Sequence, residues 1–143
     1  MMSTAPGEAL AEAALALVGV PFRLHGRDRN GVDCVGLVAL ALTAIGRRPD
    51  VPVGYRLRAL SVDPLLEFAE RNGFVFPSGP ECVGDLLLVH PCPIQAHLVI
   101  ASGQGGFVHA HAGLRRVVHE PRRTSVPWPW PAAARWRLTE SLT

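Results

Sequence analysis

The hydrophobic pattern changes from helical to strand-like near the middle of the chain, and this change limits the fold more than any other feature. Apolar residues recur at helical spacing over 7–18 and fill 34–46 almost completely, which predicts one helix and then a buried one. A third helix is predicted over 62–72, with Ser61 as its N-cap. Short runs broken by Gly, Pro or polar turns then predict strands over 85–90, 96–101, 106–111, 116–120 and 134–138. Helices followed by strands predict an α+β fold, and a length of 143 residues predicts a single domain over 1–143.

Three segments lack a regular pattern. Residues 22–33 are rich in Gly, Arg, Asp and Asn and predict a loop, and 47–60 are expected to be irregular. The Pro-rich segment 127–131 is expected to be extended, with its two Trp rings packed on the body of the domain.

Charge and cysteine content exclude several classes of protein. All 14 basic residues are Arg, the net charge is only +2, and the Arg residues are scattered along the chain, so no nucleic-acid partner is predicted. Glu8 and Glu12 interrupt the first apolar stretch, and no basic region precedes it, which predicts neither a secretory signal nor a membrane span. Three cysteines do not suggest a disulfide framework. We therefore expect a protein made in the cytoplasm.

Cys34 is the candidate nucleophile because it lies where the loop over 22–33 enters the buried helix. A helix N-terminus carries partial positive charge and free N–H groups, which favour a thiolate and predict a lowered thiol pKa. The same N–H groups can stabilise a developing oxyanion. The structural alternative is a small apolar core residue. Asp33, directly before the apolar helix, and the nearby Gly31 and Gly36 favour the catalytic interpretation.

Two histidines lie in neighbouring predicted strands joined by a Gly-rich turn. His97 belongs to the strand over 96–101 and His109 to the strand over 106–111. An antiparallel hairpin brings such side chains into contact. His97 would then act as the base for the thiol and His109 would orient it, as in the general catalytic triad. His111 lies on the same face as His109 and is the rival for the orienting role.

A zinc site is the competing chemistry, and the ligand spacing argues against it. No pair has the CxxC or HExxH spacing that holds zinc ligands rigidly, so neither a metal nor another cofactor is predicted. The candidate ligands are His90, Cys92, His97, His109 and His111.

Four sequence blocks resemble the NlpC-type cell-wall cysteine peptidases, in the same order, across about residues 10–120. The segment from Gly19 to Val38 contains G-V-P-F-R-L-H-G followed by N-G-V-D-C-V-G-L-V, similar to the family's nucleophile region. Gly84-Asp85-Leu86-Leu87, His97-Leu98-Val99-Ile100 and the run over 105–110 are similar to three of its strands.

The resemblance implies a papain-like fold in which a helical part with Cys34 packs on a small antiparallel sheet with His97 and His109. It also implies hydrolysis of a peptide bond in the peptidoglycan stem, often the γ-D-glutamyl to diamino-acid bond. Cys34 would attack, His97 would transfer the proton, His109 would orient His97, and the Cys34 N–H would be the first oxyanion donor.

Three positions depart from the family pattern. Phe22 stands where the family has Tyr, His25 where it has the first Gly of a pair, and Val35 where it has Ser. Together with Asp33, these positions are expected to bind substrate, and His25 is a candidate replacement hydrogen-bond donor. The departures motivate a second hypothesis, an inactive binding module with the same fold. An amidase or acyltransferase using the same triad is a third.

The short form without a signal, the D-C-x-G-L-V variant and Gln95 near His97 resemble the branch encoded beside phage tail genes and in gene transfer agents. This resemblance implies phage-like tail or baseplate proteins as partners, and assembly into a virion. Such a tail would carry a cytoplasmic product to peptidoglycan.

Overall fold

A computed structural model describes residues 4–58, 61–121 and 132–140. Helices precede most of the strands along the chain. The elements are α1 (Ala5–Leu15), β1 (Arg27–Asp28), β2 (Gly31–Val32), α2 (Cys34–Ala44), α3 (Asp63–Arg71), β3 (Phe74–Val75), β4 (Leu86–Cys92), β5 (Gln95–Gly103), β6 (Gly106–His111), β7 (Arg116–Glu120) and β8 (Ala132–Leu138). This arrangement confirms the predicted α+β class.

The strands form one antiparallel sheet of six, in the order β3-β8-β4-β5-β6-β7, and a separate pair, β1-β2. Each of the five predicted strands is present, with ends shifted by a few residues. The short hairpin β1-β2 lies inside the segment predicted as a loop, and β3 was not predicted. Both are two residues long, too short to carry a periodic sequence signal.

The predicted cap of α3 is wrong. The N-cap residue is Val62, which makes no side-chain capping bond. The Ser61 hydroxyl accepts instead from the Asp63 N–H at 3.3 Å. This bond spans two residues and reaches only the first residue of the helix, so Ser61 lies one position before the N-cap.

Helix α2 is the centre of the hydrophobic core, as its almost continuous apolar sequence predicts. It packs against α1, β5 and β6. The start of α2 also packs closely on the residues before β1. Gly36 allows this contact, because a Cβ at that position would lie 1.9 Å from the Gly26 carbonyl oxygen. The N-terminus of α2 is thereby pressed against the segment that leads into β1.

No helix among the described residues is long and apolar enough to cross a membrane. The Pro-rich segment 127–131, with its predicted extended path and packed Trp rings, lies outside the described residues.

Candidate active site

Cys34 is the first residue of α2, as predicted, and Asp33 is the N-cap of that helix. The Asp33 carboxylate accepts from the Gly36 N–H at 2.8 Å. Cys34 is only 1% exposed. Backbone N–H groups of Leu98, Val35 and Cys34 itself approach its sulfur. The thiol therefore lies between the start of α2 and the strand that carries His97.

The thiol is less acidic than the sequence predicts. Burial raises the pKa of Cys34 to about 12, and the negative charge of Asp33 adds to the increase. The neighbouring backbone N–H groups lower this pKa, but they are outweighed. The prediction of a depressed pKa is wrong because it counted the helix N-terminus and left out desolvation, which disfavours a buried thiolate. Near neutral pH the Cys34 side chain is therefore a neutral thiol.

The two predicted histidines are in direct contact. His97 Nε2 and His109 Nδ1 are 2.7 Å apart, and both side chains are buried. His109 Nε2 lies 3.1 Å from Glu120 Oε2, and the Glu120 side chain is 44% exposed. The structure therefore places His97, His109 and Glu120 in one hydrogen-bonded series.

Both imidazoles are neutral near pH 7. Burial lowers the pKa of His97 to about 4, with a further contribution from His111. Burial, followed by the charges of His97 and His111, lowers the pKa of His109 to about 3. A neutral imidazole carries one N–H and one basic nitrogen, so His97 can accept a proton from a thiol.

His111 does not take the orienting position in this structure. Its Nδ1 accepts from the Leu114 N–H at 3.0 Å, and its ring centroid is 5.3 Å from that of His109. It lines a cavity of about 140 Å³ beside the paired imidazoles. The cavity is lined by Phe22, Leu57, Pro91, Gln95, His97, His109, Ala110, His111, Ala112 and Gly113. Of the four residues predicted to bind substrate, Phe22 is the one that lines this cavity. Cys34 is not among the lining residues.

Asp33 and Val35, also predicted to bind substrate, have no exposed surface. Asp33 Oδ2 accepts from the His25 N–H at 2.8 Å and from the Tyr55 hydroxyl. Its carboxylate is thus used within the protein, as buried polar groups generally are. In this conformation the side chains of Asp33 and Val35 present no surface to a substrate, because they are buried in the core.

Tyr55 is a site residue that the sequence did not reveal. It is 4% exposed, and burial together with its hydrogen bond to Asp33 raises its pKa. His25 Nε2 lies 2.8 Å from the Tyr55 carbonyl oxygen. The ring of His25 is therefore engaged with this backbone oxygen, and Tyr55 places a hydroxyl close to the site despite Phe22. Tyr55 was missed because it lies in the irregular segment 47–60, which has no pattern to align.

Glu120 was also missed, although a signal existed. In the β6-β7 pair, His109 lies opposite Val118 and Phe107 lies opposite Glu120. Residues two apart on a strand share a face, so Glu120 is a diagonal neighbour of His109. The register of this pair would have revealed the contact.

Among the described residues, no group of three or more His, Cys, Asp or Glu is arranged to hold a metal ion.

The α+β fold, a cysteine at a helix N-terminus and a pair of imidazoles on the adjacent sheet define a papain-like arrangement. The NlpC/P60 family model matches residues 19–129, and the chain belongs to the NlpC/P60 family, a family of peptidoglycan hydrolases with some non-catalytic members. No match was found among curated protein sequences.

Solved structures with the same fold include a peptidoglycan hydrolase and a non-catalytic protein. The NlpC/p60 domain of the peptidoglycan hydrolase SagA is 26% identical, with a TM-score of 0.60, over 90% of this chain and 97% of that one. NlpC1 from Trichomonas vaginalis is 19% identical, with a TM-score of 0.64, over 96% of this chain and 47% of that one. RipD from Mycobacterium tuberculosis, a non-catalytic NlpC/p60 domain protein adapted to peptidoglycan binding, is 19% identical, with a TM-score of 0.56, over 95% of this chain and 99% of that one.

Proposed function

We propose that this chain is a cysteine endopeptidase that hydrolyses a peptide bond in the peptidoglycan stem. The observation that carries the proposal is the 2.7 Å contact between His97 Nε2 and His109 Nδ1, on the strands that pack against the helix of Cys34. A base held by a second side chain, beside a nucleophile at a helix N-terminus, is the arrangement that acyl transfer requires.

The reaction follows from the protonation states. Cys34 Sγ attacks the peptide carbonyl carbon while its proton passes to His97, because both groups start neutral. The Cys34 N–H stabilises the oxyanion. The intermediate collapses to a thioester, and His97 returns the proton to the departing amine. His97 then removes a proton from water, which hydrolyses the thioester and restores the thiol.

Digestion of purified peptidoglycan fragments tests this proposal. Cys34→Ala and His97→Ala should each lower cleavage by on the order of a thousandfold or more, because nucleophile and base act as a unit. Cys92→Ser, at a half-exposed cysteine, is the matched control and should cleave like the unaltered protein. Equal cleavage by Cys34→Ala would exclude the proposal.

We further propose that the bond cleaved is the γ-D-glutamyl to diamino-acid linkage, on the basis of the sequence blocks shared with the NlpC-type peptidases. Mass spectrometry of the digest identifies the new amine terminus. A terminus on the diamino acid would support this assignment. A terminus elsewhere in the stem would show that a different peptide bond is cleaved. Release of an amide or of a transferred acyl group would favour the amidase or acyltransferase alternative.

A phage-like tail is the proposed setting of this activity, supported by the D-C-x-G-L-V variant and by Gln95 near His97. Gln95 lines the cavity beside the imidazole pair. Co-purification of the chain with tail particles from the producing strain tests the proposal. Its absence from purified particles would contradict the setting without affecting the peptidase chemistry.

A peptidoglycan-binding module without activity is the second candidate, favoured by the burial and raised pKa of Cys34. It predicts that the unaltered protein and Cys34→Ala sediment equally with purified cell walls and that neither releases fragments. If the unaltered protein releases fragments and Cys34→Ala does not, the result supports the peptidase.

A further inference from the structure

In the imidazole pair, His109 contacts the Glu120 carboxylate, and this contact makes the surroundings of the two rings different. We propose that Glu120 is a positioning residue that fixes the tautomers of His109 and His97, so that the basic nitrogen of His97 is Nδ1. The catalytic consequence rests on the proposed peptidase function, whereas the tautomers are a property of the protein without substrate.

The first step concerns Glu120 and His109. The side chain of Glu120 is 44% exposed, so its carboxylate is in contact with solvent. An ionised carboxylate can only accept hydrogen bonds. The 3.1 Å contact between Glu120 Oε2 and His109 Nε2 therefore requires the proton of His109 to be on Nε2.

The second step passes this constraint to His97. With its one proton on Nε2, neutral His109 presents a lone pair at Nδ1. The 2.7 Å contact then requires His97 Nε2 to donate to His109 Nδ1. The single proton of neutral His97 is thus on Nε2, and its Nδ1 is the basic nitrogen. This atom is on the side of the ring away from His109, and in the proposed reaction it is the nitrogen that would accept the Cys34 proton.

Glu120 is needed because the contact between the two rings is symmetric by itself. The opposite assignment, with His109 Nδ1 donating to His97 Nε2, would give the same nitrogen–nitrogen distance. His97 would then carry its proton on Nδ1 and could not act as a base there. His111 Nδ1 accepts from the Leu114 N–H, so that nitrogen is not the acceptor for either ring. The carboxylate is the group among these contacts that distinguishes the two.

The test is long-range proton–nitrogen NMR of the 15N-histidine-labelled protein without substrate, which reports directly which ring nitrogen carries the proton. Both His97 and His109 should carry it on Nε2. Glu120→Leu removes the acceptor and should populate the Nδ1-protonated form of His97. Glu120→Gln keeps an acceptor oxygen and should show a smaller change. Glu12→Gln, at an exposed acid on α1, should leave both rings unchanged.

Cleavage rates complete the test. Relative to the unaltered protein, kcat should fall by about tenfold to a hundredfold in Glu120→Leu and by less in Glu120→Gln, with KM nearly constant, since an outer partner acts through the base. Unchanged tautomers in Glu120→Leu, or a proton on Nδ1 of His97 in the unaltered protein, would overturn the proposal. If the unaltered protein cleaves nothing, the peptidase function fails while the NMR result still decides the role of Glu120.

Discussion

Asp33 has two opposing effects on the residue that follows it. Its carboxylate caps α2 through the Gly36 N–H, which places Cys34 at the positive end of a helix dipole. Its negative charge also raises the pKa of that thiol, in addition to the effect of burial. The helix N-terminus therefore positions the sulfur and its N–H groups without generating a resting thiolate.

This resting state predicts the order in which the cysteines react. Cys92 is half-exposed, whereas Cys34 and Cys82 are buried. Alkylation depends on access and on thiolate, so iodoacetamide at neutral pH should modify Cys92 first and Cys34 at least about tenfold more slowly. Peptide mapping by mass spectrometry measures the order. Preferential labelling of Cys34 in mildly acidic solution would show that its thiol is ionised after all.

The two buried imidazoles also make stability depend on pH. Their folded pKa values, about 4 for His97 and about 3 for His109, lie below the unfolded value of about 6.5. The folded protein thus binds fewer protons than the unfolded chain, and the free energy of unfolding falls as pH falls from about 6.5 towards about 3. Above this window the contribution to stability is fully present.

Urea unfolding at a series of pH values measures this dependence. Replacing His97 and His109 together by Asn should flatten the curve in that window, because the groups that titrate are gone. His119→Asn removes an exposed histidine and should leave the slope as it was. An unchanged slope in the double variant would place the acid sensitivity elsewhere.

At the scale of the elements, the sequence predicted the helices and strands that have a periodic apolar pattern or a recognisable motif. The apolar run 34–46 gave α2, and the strands with His97 and His109 followed from short runs around a Gly-rich turn. The pairing of the rings followed from the hairpin. The pKa of Cys34 could not be predicted from the sequence, because desolvation depends on the whole packed environment. The role of Tyr55 could not be predicted either, because its contact with Asp33 joins segments with no shared periodicity.

Close packing of α2 on the segment before β1 gives a prediction for Gly36. An added Cβ would meet the Gly26 carbonyl oxygen at 1.9 Å, and a backbone atom cannot move aside as a side chain can. Gly36→Ala should therefore destabilise the protein by about 1–3 kcal/mol in urea unfolding, despite the better helix propensity of Ala.

Thr43→Ala is the matched control for Gly36→Ala, because Thr43 is an exposed position of the same helix. The Thr43 hydroxyl bonds only to the Ala39 carbonyl of the same helix, and Ala favours the helix, so the free energy of unfolding should change by less than about 1 kcal/mol. Equal stability of Gly36→Ala and the unaltered protein would mean that α2 can move away from Gly26 at no cost.

At the scale of the whole molecule, a buried ion-pair network joins distant parts of the chain. Asp85, with no exposed surface, accepts from Arg135 Nη1 at 2.8 Å and from Arg137 Nε at 2.9 Å. It also accepts from the Cys82 N–H at 2.9 Å. The carboxylate thus connects β8 to the turn that begins β4. The Asp of the Gly84-Asp85-Leu86-Leu87 block therefore has a structural role in this network.

Asp85→Asn should destabilise the whole fold, because removing one partner leaves two partly buried guanidinium groups without their counter-charge. We expect a loss of about 3–5 kcal/mol in urea unfolding. Asp50→Asn is the matched control, since the Asp50–Arg71 pair is 3.5 Å apart with both side chains 62% exposed, and it should cost less than about 1 kcal/mol. Similar losses in the two variants would show that burial does not strengthen the Asp85 network. A large loss confined to Asp85→Asn would show that β8 is held to the sheet by charge as well as by its strand hydrogen bonds.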